Sequence, residues 1–307
     1  RVAVYGRMQP LEATGFIRPA PTKGPARHLL FLDGLRGVAA LLIVMFHWLD
    51  RHGIPLLGAS QLAVEFFFML SGFVITYAYQ DKLRAAPAIG SFLIRRLIRL
   101  YPIIFLGVAV GFARLVMLAY LEGGSALGSS PVRDLAHGML LIPSELRHVA
   151  VFFPVNFVMW SLHFELIAYV AFGLILYRLH SKWLWLLAAA ALPGSLFWIA
   201  EIYADHYALG QFAGDHLGYI YGLSRLTISF TLGMLICRTM PVWSKMTLPG
   251  GRWLILLLVL PLALPASKVS LIAAVAMLLI VFPYILAAGS AVEGHPILSR
   301  IDTFLGN

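Results

Sequence analysis

The chain has 307 residues, 60% of them hydrophobic and 12% charged, with a mean hydropathy of +0.85 and a formal net charge of +9. A soluble domain carries about 25% charged residues, and a water-facing surface cannot be built from half of that, so a soluble globular enzyme and a disordered chain are both excluded. The lone Cys237 permits neither an intrachain disulfide nor a thiolate metal cage. The basic excess would suggest nucleic acid in a soluble chain; here it reads as topological, and no nucleic-acid partner is expected.

Residues 1–28 are polar and rich in proline (Pro10, Pro19, Pro21, Pro25) and read as a flexible arm with no signal-peptide pattern. Residues 29–307 read as one membrane-embedded domain. A spanning helix needs about 20 mostly apolar residues. Such runs lie near 34–50, 62–80, 100–120, 155–177, 183–202, 218–237, 252–267 and 269–289. The expected fold is therefore an all-α polytopic transmembrane helix bundle of eight spans. The stretch 135–143 ends at Pro143 and is too short to cross, which fits a half-helix or an interfacial segment. With the N-terminus inside, 17 of the 23 Lys and Arg residues fall on the inner side and 4 outside, with Arg114 and Arg225 within spans. That bias predicts a cytoplasmic N-terminus.

Ionisable groups inside spans are costly, so they normally face a cavity and have a partner. They are His47, Glu65, Arg114, His163, Glu165 and Arg225, joined at span ends by Asp33 with Arg36 and by Arg95, Arg96 and Arg99. In the first span Arg36 and His47 are eleven residues apart. At 3.6 residues per turn both project from one face, separated by about 16 Å along the axis. Arg36 is either a snorkelling anchor or a fixed cation at the inner surface, and His47 either an interfacial histidine beside Trp48 or a deep titratable group.

In the second span Glu65 is placed to pair with His47. Ser71-Gly72 is a small patch that lets helices approach, and Phe66-Phe67-Phe68 reads as lipid-facing bulk. Ser71 reads as packing as long as no base sits beside it. Arg95, Arg96 and Arg99 share one helical face, either as topology signals or as a grip for phosphates. In the fourth span Ser161 and Glu165 face together while His163 points away. Glu165 is the expected orienting acceptor for the His47 imidazole.

Four motifs in order carry a resemblance: Asp33-Gly34-Leu35-Arg36-Gly37 with His47, Val64-Glu65-Phe66-Phe67-Phe68 through Leu70-Ser71-Gly72-Phe73, Arg95-Arg96-Leu97-Ile98-Arg99-Leu100-Tyr101-Pro102, and Trp160-Ser161-Leu162-His163-Phe164-Glu165. Across roughly 29–305 the chain resembles the integral-membrane acyltransferase 3 family of bacterial polysaccharide, peptidoglycan and macrolide O-acyltransferases. Gly222-Leu223-Ser224-Arg225 resembles the family's later arginine-bearing helix. The resemblance implies acyl transfer, most often of acetyl, from cytoplasmic acyl-CoA as co-substrate, with no permanently bound cofactor. The implied acceptor is a hydroxyl of a carbohydrate or lipid-linked glycan at the bacterial inner membrane.

The resemblance makes His47 the catalytic residue and sets Glu165 in the family's Ser-Leu-x-x-Glu pattern. It gives the donor to Arg36, Arg96 and Arg99, beside which Arg95 and Ser71 complete the expected binding set. Asp33, Glu65, Ser161 and Arg225 are expected in support. The family ends in a further helix, which this chain is expected to lack after Phe304-Leu305-Gly306-Asn307. The competing readings are a transporter or flippase with the in-span His and Glu residues as a proton relay, and a metalloenzyme using His47, Glu65 and His163. No two of these histidines have helical ligand spacing, and no metal site is expected.

Overall fold

In hydrocarbon an unpaired backbone N–H or C=O has no water to turn to, so each apolar run has to close its hydrogen bonds within itself. A computed structural model describes residues 29–54, 56–122, 130–143, 153–204, 216–243, 249–265 and 271–291, and among these every regular element is helical. The expected arm 1–28 and the expected end of the chain before a last family helix lie outside the described residues.

Helix α1 is Leu30–Arg51, and a 3₁₀ turn at Gly58–Leu62 leads into α2, Ala63–Ala85. Then come α3 (Ile89–Glu122), α4 (Pro131–Leu140) and α5 (Met159–Ala171), the last prolonged by a π-helical turn at Phe172–Leu176. Helices α6 (Ser181–Ala204), α7 (His216–Arg238), the single turn α8 (Met240–Trp243) and α9 (Trp253–Leu262) follow. The described chain ends with α10 (Leu271–Ala276), a π turn at Met277–Val281 and α11 (Phe282–Ser290).

Seven of these stretches are long and apolar enough to cross a membrane. The seventh expected span, 252–267, corrects to a ten-residue helix: α9 is about 15 Å long, half a hydrocarbon core. It stops early because the turn before α2 takes its last carbonyls. Ser60 Oγ donates to the Leu262 carbonyl at 3.1 Å, and the Ala59 N–H donates to that of Leu264, also at 3.1 Å. Helix α4 starts four residues before the short stretch expected at 135–143 and ends on Leu141, whose φ of 53° is left-handed.

Two apolar clusters share α2 and α7 as a common wall, one reaching α1, α9 and α11, the other α3 and α5. The two shared helices touch backbone to backbone. A Cβ at Gly72 would fall on the Phe230 carbonyl, and one at Gly233 on the Met69 carbonyl. The small patch read at Ser71-Gly72 is thus half of a reciprocal glycine contact. The aromatic triplet is not lipid-facing: Phe66 and Phe68 are fully buried, because α2 is the central helix of the bundle and offers little surface to lipid.

Candidate active site

A cleft of about 980 Å³ opens between α1, α2, α3, α5 and α7. Its α1 wall is a single stripe of Asp33, Arg36, Gly37, Ala40, Ile43, Val44 and His47. The intervals of three and four residues are those that keep side chains on one face of a helix. Arg36 and His47 therefore line one cavity. Helix α3 brings Arg96 and Arg99 to the Arg36 end, where Asp33 lies within electrostatic reach of Arg99 and Arg36.

Arg95 does not join them. It is exposed and donates through Nη2 to Ser91 Oγ at 3.2 Å on its own helix. Consecutive residues diverge by about 100° on a helix, and here that turn carries Arg95 to the exposed face while Arg96 borders the cleft. Arg96 is the buried member at 6% exposure, with its guanidinium 4.7 Å from the Tyr79 ring centroid and 5.7 Å from that of Tyr169. Its Nε has no hydrogen-bond partner. Arg99 is exposed at the cleft mouth, and Arg114 is exposed on α3 away from the cleft.

On the facing wall Ser71 Oγ donates to Glu165 Oε1 at 2.7 Å, and the Tyr169 hydroxyl donates to the same oxygen. A base does sit beside Ser71. No hydrogen bond joins Glu165 to His47, so the expected orienting role is corrected: the carboxylate is already engaged by two hydroxyls from its own side of the cleft. Ser161 also lines the cleft, but its hydroxyl donates to the Val158 carbonyl at 3.1 Å rather than to Glu165. Tyr169, missed in the sequence, stands four residues after Glu165, the spacing that stacks two side chains on one face.

Glu65 does not pair with His47 either. Arg225 Nε donates to Glu65 Oε1 at 2.5 Å, and the Arg225 guanidinium carbon lies 3.3 Å from the Trp198 ring centroid and 5.0 Å from that of Trp160. The pair is sealed, with Glu65 at 1% and Arg225 at 4% exposure. Arg225 borders the cleft and Glu65 does not. The fixed cation that α7 brings within reach satisfies the buried carboxylate, which leaves none of its charge for the imidazole on α1.

His163 turns away from the cleft. Its Nδ1 donates to the Leu141 carbonyl at 2.8 Å, capping the end of α4, and its Nε2 meets the Tyr219 hydroxyl at 2.9 Å. His47, Glu65 and His163 thus have separate surroundings and do not form a ligand group.

The bundle and its cleft define a polytopic membrane protein with an arginine-lined entrance, an imidazole farther along the same helix and a caged carboxylate opposite. The chain belongs to the acyltransferase 3 family: the family model described as "Acyltransferase domain" matches residues 29–305. It is 36% identical over 168 residues to "Protein 2 in picA locus" of Rhizobium radiobacter, covering 48% of this chain and 81% of that protein. It is 31% identical over 163 residues to "Acyltransferase MdmB" of Streptomyces mycarofaciens, covering 49% of this chain and 40% of that protein. The match thus spans less than half the length of the Streptomyces relative. No solved structure matches the chain.

Proposed function

We propose that this membrane acyltransferase moves an acyl group, acetyl in the first instance, from cytoplasmic acyl-CoA to a hydroxyl of a cell-envelope or exported carbohydrate, free or lipid-linked. The reading sets it in the bacterial inner membrane with its N-terminus in the cytoplasm. The observation that carries it is the α1 stripe, on which Arg36 and His47 line one cleft with Arg96 and Arg99 at the Arg36 end. Guanidinium groups match phosphate oxygens in geometry and charge. The rise from Arg36 to His47, about 16 Å, is comparable to an extended pantetheine arm, on the order of 16 Å at ordinary bond lengths. A donor whose phosphates rest at the arginines thus brings its thioester to the imidazole.

In that reading His47 accepts the proton of the acceptor hydroxyl as its oxygen attacks the thioester carbonyl. The C–S bond then breaks, and the imidazolium returns the proton to the departing thiolate, which leaves as the free thiol of coenzyme A. The imidazole has no hydrogen-bond partner among the described residues, so its lone pair is not committed to the protein.

The test uses membranes containing the protein and radiolabelled acetyl-CoA. His47→Ala is expected to insert normally and to transfer no label to the acceptor fraction. Near-normal transfer by that variant overturns the assignment. Movement of an unmodified solute without acetyl-CoA consumption by the natural protein favours the proton-relay reading instead.

A further inference from the structure

Glu165 is 8% exposed in a helix that crosses the membrane, and a carboxylate there needs donors. It has two, and both serve one oxygen. Ser71 from α2 and Tyr169 from its own helix donate to Oε1, while Oε2 accepts no hydrogen bond from any described residue and the side chain borders the cleft. A carboxylate saturated at one oxygen and open at the other is oriented toward whatever fills the cleft.

Tyr169 has a second contact. Its ring lies 5.7 Å from the guanidinium of Arg96, itself 6% exposed and with Nε unpartnered. One buried tyrosine, 3% exposed, therefore joins the caged carboxylate to the buried arginine. Glu165 has no hydrogen bond to His47, so its free oxygen is available to substrate rather than committed to the imidazole.

We propose that Tyr169 is a positioning residue of the transfer reaction: with Ser71 it turns Glu165 so that Oε2 receives a hydroxyl of the acceptor. Its ring meanwhile packs against the Arg96 guanidinium. This rests on the reading that transfer takes place in this cleft. His47 remains the group that takes the proton, and Glu165 holds the acceptor in line for attack. The step forms no covalent bond to the protein.

The experiment measures turnover of acetyl-CoA with the acceptor present in the native membranes. Removing one hydrogen bond to a charged group is expected to cost about 10- to 100-fold in kcat when that group acts on the transition state. Tyr169→Phe, which keeps the ring, is expected to lower kcat by that factor and to leave the KM for acetyl-CoA within about two-fold. Ser71→Ala is expected to do the same. The double variant is expected to lose less than the product of the two, because both donors serve one oxygen.

Unchanged kcat in Tyr169→Phe overturns the proposal, as does a KM for acetyl-CoA that rises in step with any loss, or full independence of the two substitutions. If Tyr169→Phe fails to fold, Ser71→Ala alone decides by the same split between kcat and KM. Normal turnover by Tyr169→Phe where His47→Ala is inactive removes the positioning role and leaves the acyl-transfer reading standing. Natural membranes that consume no acetyl-CoA remove that reading itself.

Discussion

Glu65 and Glu165 are both glutamates buried in membrane-spanning helices, and they are held in opposite ways. Glu65 meets a full positive charge, Arg225, inside a box closed by Trp160 and Trp198. Its remaining oxygen and the Nη2 of Arg225 are buried without partners. Glu165 meets two hydroxyls, both at Oε1, and its side chain borders the cleft. The first arrangement sets charge against charge and ties α2 to α7; the second holds one carboxylate oxygen with hydroxyls and leaves the other without a partner among the described residues. Both are buried glutamates, so burial by itself does not separate a strut from a site.

Removing a carboxylate tests that contrast most sharply. Glu65→Ala leaves the Arg225 cation buried without a counter-charge, a loss of about 3–5 kcal/mol. It is expected to show as a large drop in the melting temperature of the purified protein in detergent, and with it the yield of folded protein. A Glu65→Ala variant as stable as the natural protein would break the distinction. Glu165→Gln keeps the shape and both hydroxyl partners within reach. It is expected to lower kcat about 100-fold, or about 2.7 kcal/mol, with a melting temperature close to that of the natural protein.

A smaller effect separates the arginines. Arg99→Ala at the cleft mouth is expected to raise the KM for acetyl-CoA about ten-fold, or about 1.4 kcal/mol. The donor affinity of the natural protein is expected to weaken as salt is added, since exposed charges are screened within about a Debye length of 8–10 Å at physiological ionic strength. Arg95→Ala is expected to change KM by less than about two-fold, because its side chain lies outside the cleft and isolated surface charges contribute little.

The α1 wall was readable in the sequence because one rigid helix carries it. A period of 3.6 residues places Arg36 and His47 on one face whatever surrounds them. The same rule was enough to find Tyr169 from Glu165, had an aromatic at that spacing been weighed as a donor. It also sets Arg95 about 100° round the helix from Arg96, and packing decides which of the two borders the cleft. The partners of Glu65 and Glu165 were not readable. Arg225 lies 160 residues from Glu65, and Ser71 lies 94 residues from Glu165. Nothing local ranks those partners above His47.

Hydropathy and helical period, both properties of short windows, determined by themselves that this chain crosses a membrane as helices and that Arg36 and His47 share a face. The ordered motifs pointed to its acyltransferase family. Tertiary structure decided which ionisable groups meet. In a medium without water each buried charge takes the best partner that packing brings within reach. That choice depends on how α2, α3, α5 and α7 close on one another, down to the glycine contacts at Gly72 and Gly233 that set the spacing of α2 and α7.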